Sequence, residues 1–113
     1  MHELAVTQSM LTLALEQAER AGAGRITRIH LVVGEISGIV DESVQFYFDV
    51  VSRGTLAEGA QLAFERRPAR LRCRACGHEF TLPHGDWTCP ACQAWGGEII
   101  AGREATIESI EVE

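Results

Sequence analysis

Four cysteines stand in two closely spaced pairs in the second half of the chain. Both pairs have the pattern C-x2-C, twelve residues separate them, and the four positions are Cys73, Cys76, Cys89 and Cys92. Each pair places two sulfurs on one turn, and two pairs together supply the tetrahedral thiolate set that suits Zn²⁺. Because such a site is closed to water and substrate, the spacing predicts a structural zinc and not a catalytic one.

Two disulfides are the alternative use of these cysteines, and four cysteines allow three pairings. We favour the metal, because paired C-x2-C turns are typical of metal sites and the sequence shows no signal peptide. For the same reasons we expect a reducing, cytoplasmic location. No apolar run reaches the length that spans a bilayer, so we expect no membrane insertion.

The first three residues, Met1-His2-Glu3, form a second group with metal chemistry. The α-amine of Met1, the backbone nitrogen of His2 and its imidazole can chelate one ion through consecutive rings. Such a planar, nitrogen-rich set suits Ni(II) or Cu(II), and Glu3 adds a nearby carboxylate. The alternative is that His2 has no role, because chain termini are often frayed.

The hydrophobic pattern predicts the elements that position these two groups. Leu4, Leu11 and Leu15 recur at helical spacing, whereas β-branched residues alternate with polar ones in the next segment. The predicted elements are helices over 4–21 and 42–52, strands over 26–33, from 61 and over 106–112, and a zinc ribbon over 71–99. Asp41 is predicted to cap the second helix, with an accessory role as a metal ligand as the alternative.

This order predicts an α+β protein in which two helices pack on a three-stranded sheet. Residues 1–70 and 100–113 would form a small α/β domain, and residues 71–99 an inserted four-cysteine zinc ribbon whose exit strand returns to the first sheet. The ribbon has few large apolar residues, chiefly Phe80, Leu82, Trp87 and Trp95. A segment with so small a core depends on its metal to fold.

Charge and composition argue against two other classes of function. The formal net charge is −6 and the chain contains no lysine, so it is a poor general ligand for nucleic acid. A nucleic-acid-binding ribbon or protein adaptor is nevertheless the alternative function, because five arginines cluster near the ribbon. They are Arg66, Arg67, Arg70, Arg72 and Arg74. We predict no enzyme activity, since the sequence offers no phosphate-binding loop and no nucleophile with an evident base.

Several segments together resemble the HypA/HybF family of nickel metallochaperones, which help to insert nickel into NiFe hydrogenase. The resemblance covers essentially the whole chain, and its specificity lies in the order and spacing of the segments. They are Met1-His2-Glu3, the stretch 31–35 with Ser37, the run 46–51 leading into 54–59, the two cysteine pairs and the Ile-Glu-Val end.

The resemblance implies a role for each metal group. His2 would be the principal nickel ligand, with Met1 and Glu3 as companions, and the four cysteines would hold zinc. The implied partners are the GTPase HypB and the hydrogenase large-subunit precursor, and the chain would be a monomer or a homodimer. Gln93 departs from the family, where glycine often follows the second cysteine pair, so we expect a slightly strained turn there.

Overall fold

The computed structural model describes residues 3–82 and 86–113 and confirms an α+β protein. Its elements, in chain order, are α1 (Glu3–Arg20), β1 (Ile26–Gly34), α2 (Asp41–Val51), β2 (Gln61–Arg67), β3 (Arg70–Cys73), β4 (Glu79–Thr81), β5 (Gly97–Ala101) and β6 (Ala105–Val112). No helix in these two ranges is long and apolar enough to cross a membrane.

Strand β1 is the centre of the larger sheet, whose order is β2-β1-β6. It pairs in parallel with β2 and antiparallel with β6, so the last strand does return to the sheet of the first. The helices cover one face of this sheet, as the sequence predicted. Their apolar side chains, among them Ala14 and Phe48, join Ile29 and Leu31 of β1 in one buried cluster.

Helix α1 ends where its sequence predicts, because Gly22 takes a left-handed conformation with φ of 66°. The N–H of Gly22 donates to the carbonyl of Glu19 at 3.1 Å, and the N–H of Ala23 donates to that of Ala18 at 3.0 Å. This pair of bonds is the Schellman ending, which satisfies carbonyls that the last helical turn leaves free. The chain then turns directly into β1.

The start of α2 corrects one prediction. Val40, and not Asp41, is the N-cap residue, and no side chain caps the helix. Asp41 already lies inside the helix, and its carboxylate accepts a 2.5 Å bond from the Arg66 guanidinium. A cationic partner on β2 therefore outweighs the local capping preference.

A second sheet, of order β4-β3-β5, carries the cysteine pairs. Its buried cluster is small and includes Leu71, Phe80 and Leu82 besides two of the cysteines. The sheet runs from Arg70 to Ala101, slightly beyond the ribbon range of 71–99 that the sequence suggested. The division into domains 1–70 with 100–113 and 71–99 stays a prediction.

The base of the second sheet meets the end of β1 through tightly packed backbone. The N–H of Gly34 donates to the carbonyl of Glu104 at 2.7 Å, and that of Ile36 donates to Gly102 at 2.8 Å. A Cβ atom on Gly34 would lie 2.0 Å from the Gly102 carbonyl oxygen. Glycine is therefore required at position 34, where two stretches of backbone come together.

We expect Gly34→Ala to lower the free energy of unfolding by about 1–3 kcal/mol, because the backbone must move apart to admit a methyl group. Gly24→Ala is the matched control, since its Cβ would meet nothing closer than the Glu113 carbonyl at 3.9 Å. That change should stay within about 0.5 kcal/mol of the parent chain. Urea unfolding followed by circular dichroism measures both, and equal stabilities would contradict the tight junction.

Candidate metal centre

The four cysteine sulfurs converge on one point, and all lie within 4.8 Å of one another. The Cys73 and Cys92 sulfurs are 3.5 Å apart, and those of Cys76 and Cys89 are 3.7 Å apart. A tetrahedral zinc with bonds of about 2.3 Å needs sulfurs about 3.8 Å apart, whereas a disulfide needs about 2.05 Å. All four cysteines are free. The donor type and its spacing therefore fit Zn²⁺ and do not fit disulfides.

A short hydrogen-bonded turn positions the first cysteine pair. The Cys73 N–H donates to the His78 carbonyl at 2.8 Å, and the Gly77 N–H donates back to the Cys73 carbonyl at 2.9 Å. The Ala75 N–H points at the Cys73 sulfur, 3.4 Å away. Gly77 has φ of 79°, so a residue without Cβ closes this turn without strain.

The second pair repeats this backbone pattern with a different residue at the closing position. The Cys89 N–H donates to the Ala94 carbonyl at 2.8 Å, and the Gln93 N–H donates to the Cys89 carbonyl at 2.9 Å. Gln93 therefore occupies the place that Gly77 has in the first turn, and its φ is 68°. It is the one non-glycine residue with positive φ in the described ranges, in agreement with the predicted strain.

The thiols differ in acidity because their surroundings differ. Backbone N–H groups, first that of Cys76 and also that of Ala75, lower the pKa of Cys73 to about 6, against the opposing effect of burial. The pKa of Cys92 rises to about 12: the Ala94 N–H lowers it, but the adjacent Cys73 sulfur, burial and the other thiols outweigh that bond. Without a cation Cys92 therefore keeps its proton, whereas a bound cation would displace that proton and stabilise every thiolate at once.

The cluster lies at the surface of the ribbon and, among the described residues, involves no histidine. Cys73 and Cys89 are buried against the ribbon core, whereas Cys76 and Cys92 are exposed. His78 stacks on Phe80 with ring centres 6.4 Å apart. In the part of the chain that the structure describes, no other group of three or more potential ligands comes together. His84 lies outside that part.

Of the predicted nickel ligands, the structure describes Glu3 alone, while Met1 and His2 lie outside the described residues. Glu3 is the first residue of α1, and its carbonyl accepts a 2.6 Å bond from the buried Thr7 hydroxyl. This bond fixes the first turn of the helix. Because His2 lies outside the described residues, its position stays a prediction. The helix that follows it packs on the sheet through buried residues such as Met10 and Ala14.

Four of the five clustered arginines are paired with carboxylates at distances between 2.5 and 3.5 Å. The pairs are Arg66 with Asp41, Arg67 with Glu65, and both Arg70 and Arg72 with Glu79. Charges neutralised in this way attract phosphate weakly. The geometry thus argues against the nucleic-acid alternative.

Two residues that position the ribbon escaped the sequence analysis. The Glu35 carboxylate accepts the Ala69 N–H at 3.2 Å, and the Glu104 carboxylate accepts the Gly102 N–H at 2.8 Å. Both bonds hold the strands that enter and leave the ribbon. The sequence did not reveal these bonds. The partner of Glu35 is 34 residues away along the chain, and the partner of Glu104 lies in the adjacent turn.

We expect Gln93→Gly to raise zinc affinity, because it removes a left-handed penalty of about 1–2 kcal/mol and replaces it with a smaller entropic cost. Gly77→Ala is the matched control at the equivalent position of the first turn and should weaken zinc binding. Competition with a chromogenic chelator measures both. Weaker zinc binding by Gln93→Gly would show that contacts of the glutamine side chain, and not the strain in its backbone, control zinc affinity.

Comparison with known proteins extends these observations to the whole chain. A family model described as hydrogenase/urease nickel incorporation, metallochaperone, HypA, matches residues 1–112. A hydrogenase maturation factor HypA from Dehalococcoides mccartyi is 50% identical over 113 residues, which cover all of this chain and 95% of the relative. Its counterpart from Caldanaerobacter subterraneus is 43% identical over 114 residues, with both chains fully covered.

The fold agrees with this relationship. The solution structure of the nickel metallochaperone HypA from Helicobacter pylori superposes with a TM-score of 0.72 at 26% identity, covering 99% of this chain and 97% of the other. A second HypA solution structure gives 0.75 at 27% identity, covering 100% and 97%. The chain belongs to the HypA family of nickel-incorporation metallochaperones.

Proposed function

We propose that the chain carries Ni(II) at its amino terminus and delivers it for NiFe hydrogenase maturation, while its four cysteines hold a structural zinc. The observation that carries this proposal is the match of the nickel-incorporation family to residues 1–112, which include Met1-His2-Glu3. The geometry of the four cysteine sulfurs supports the second half of it. Zinc there would be a resident cofactor, and nickel would be cargo.

The ribbon cluster is unsuitable for cargo because its shell is closed. Four thiolates occupy all positions of a tetrahedral ion, so neither water nor a receiving ligand can enter without breaking a bond. A carrier needs donors that exchange more readily. The amine, backbone nitrogen and imidazole at the terminus are such donors, and their planar arrangement suits Ni(II).

The two histidines that the structure describes, His30 and His78, both have other contacts. The His30 ring nitrogen bonds the Glu111 carboxylate at 2.5 Å on the open face of the sheet. His78 stacks on Phe80 in the ribbon. Neither belongs to a group of three or more potential ligands in the described ranges. His84, like His2, lies outside the described residues, so our proposal that the His2 imidazole binds nickel rests on the family match to residues 1–112.

Nickel selectivity must come partly from the partners. Copper binds a given nitrogen site more strongly than nickel, so affinity alone does not select the cargo. We infer that a HypB-type GTPase supplies or licenses the nickel and that the hydrogenase large-subunit precursor receives it. We propose that the chain acts in the cytoplasm as a monomer or homodimer, with no catalytic activity of its own and no nucleic-acid partner.

Replacing one zinc ligand, as in Cys73→Ala or Cys92→Ala, should abolish zinc binding and unfold the ribbon. Structural zinc contributes about 10–16 kcal/mol in small domains, far more than the ribbon core supplies. The α/β part should stay folded because it buries its own core. Elemental analysis with ¹⁵N NMR tests this, and a zinc-free chain with a fully folded ribbon would refute the structural role.

The experiment that tests the cargo site is His2→Ala. Losing even an indirect partner of a metal site costs 10–100-fold in affinity, so losing this ligand should weaken nickel binding by more than about a hundredfold. Zinc content should not change, because the two sites use different donors. His30→Ala is the matched control and should bind nickel normally. Joint loss of zinc and nickel in His2→Ala would point instead to one shared site.

A further inference from the structure

An apolar groove of about 510 Å³ lies between α1 and the edge of the larger sheet. Ala5, Ser9 and Leu13 of α1 line one side, and Ala105 and Ile107 of β6 line the other. Leu13 is 51% exposed although it belongs to the groove wall. The groove thus leaves apolar surface open beside a strand, and none of the four cysteines lines it.

Within the described residues β1 is the one neighbour of β6 in the sheet, so the other edge of β6 presents unpaired backbone along this groove. Gly34 donates to the Glu104 carbonyl, which faces β1. Residues of an antiparallel strand alternate, so Thr106 also faces β1, whereas the N–H and C=O groups of Ala105 and Ile107 face outward. An open strand edge next to a helix offers hydrogen bonds and side-chain pockets to an extended peptide.

Arg103 marks one end of the groove and is the single charged residue among the described residues that line it. Its side chain is exposed and makes no ion pair with the residues that the structure describes. It stands just before β6, so a strand that runs antiparallel to β6 would end beside it. A guanidinium at that place complements a carboxylate, especially through a bidentate pair.

We propose that this groove binds an extended peptide that adds antiparallel to β6, inserts alternate apolar side chains beneath α1 and places its carboxyl-terminal carboxylate beside Arg103. Specificity would come from the apolar side chains and the terminal charge, and the strand edge would supply sequence-independent hydrogen bonds. Such a site docks the tail of another protein. It holds no metal and needs none for binding.

We assign the groove to the tail of another protein, because Arg103, which has no ion pair among the described residues, complements a terminal carboxylate. The carboxylates of β6 and its flank are already paired within the chain: Glu111 with Arg28 and His30, Glu113 with Arg25, and Glu108 with Arg67. They therefore contribute little to the choice of occupant, and a second copy of the chain is tested separately.

The probe is an acetylated hexapeptide, Lys-Val-Lys-Val-Lys-Val, with a free terminal carboxylate, titrated into zinc-loaded, nickel-free protein. We expect ¹H–¹⁵N NMR shifts in β6 near Ala105 and Ile107 and on the facing side of α1. The matched amidated peptide should bind about tenfold more weakly, because a charge-assisted bond is lost. Arg103→Gln should abolish this difference, and an undiminished difference would overturn the carboxylate's placement.

Strand addition itself is tested on the unaltered protein with peptides methylated at single backbone nitrogens. Methylation at alternate positions should reduce binding, because only every second N–H faces β6. The other positions should tolerate it. Ala105→Pro removes an outward N–H that an edge strand can spare, and should weaken the parent peptide about fivefold. Equal loss at every methylated position, or shifts at β2 in place of β6, would overturn strand addition.

Sedimentation of the chain without peptide distinguishes the alternative occupant. We expect the chain to form no dimer through the β6 edge, and so adding the hexapeptide should not change its sedimentation as a dimer dissociating would. A dimer that competes with the peptide for the β6 edge would assign the groove to a second copy and overturn the proposal. Because nickel is absent from every measurement, these results are independent of whether His2 carries cargo.

Discussion

Convergence of four cysteine sulfurs on one point is the constraint on which the ribbon depends. Their separations of 3.5 and 3.7 Å fit a tetrahedral cation, whereas without a cation the raised pKa of Cys92 keeps that thiol protonated and no metal–sulfur bond joins the two turns. The ribbon core offers little in place of such bonds, because it is built on a few side chains such as Leu71 and Phe80. We therefore expect folding of this sheet and occupation of its metal site to be one event.

The same constraint separates the two metal roles. A site strong enough to fold a ribbon exchanges its ion slowly, whereas a delivery site must release its ion to a partner. Under the proposed function the chain resolves this with different donors: sulfur in a hydrogen-bonded cage, and nitrogen at the terminus that precedes α1. The Gly34–Gly102 backbone contact joins the two parts, so the ribbon is held against the α/β sheet and is not a freely tethered module.

Local sequence patterns predicted most of the fold, whereas contacts between residues far apart in the sequence were not predicted. Gly22 ends α1 and Gln93 strains its turn as expected, because each depends on backbone conformation within a few residues. Asp41 did not cap α2, since its partner is Arg66 on a distant strand. The groove beside β6 was not predicted either: its walls come from opposite ends of the chain, and no single segment reveals them. The proposed zinc ligands follow from the cysteine spacing alone, whereas the proposed nickel ligands rest on family resemblance.

The central claim is that nickel binds a free amino terminus, and comparing nickel titrations of three proteins tests it most directly. One begins at Met1, one carries a single extra residue before Met1, and one carries an extension after Glu113. We expect the extra leading residue to weaken binding although His2 is still present, because an amide replaces the amine donor and the chelate ring is lost. The carboxyl-terminal extension should bind as the parent does. Equal nickel affinity in all three proteins would contradict the claim.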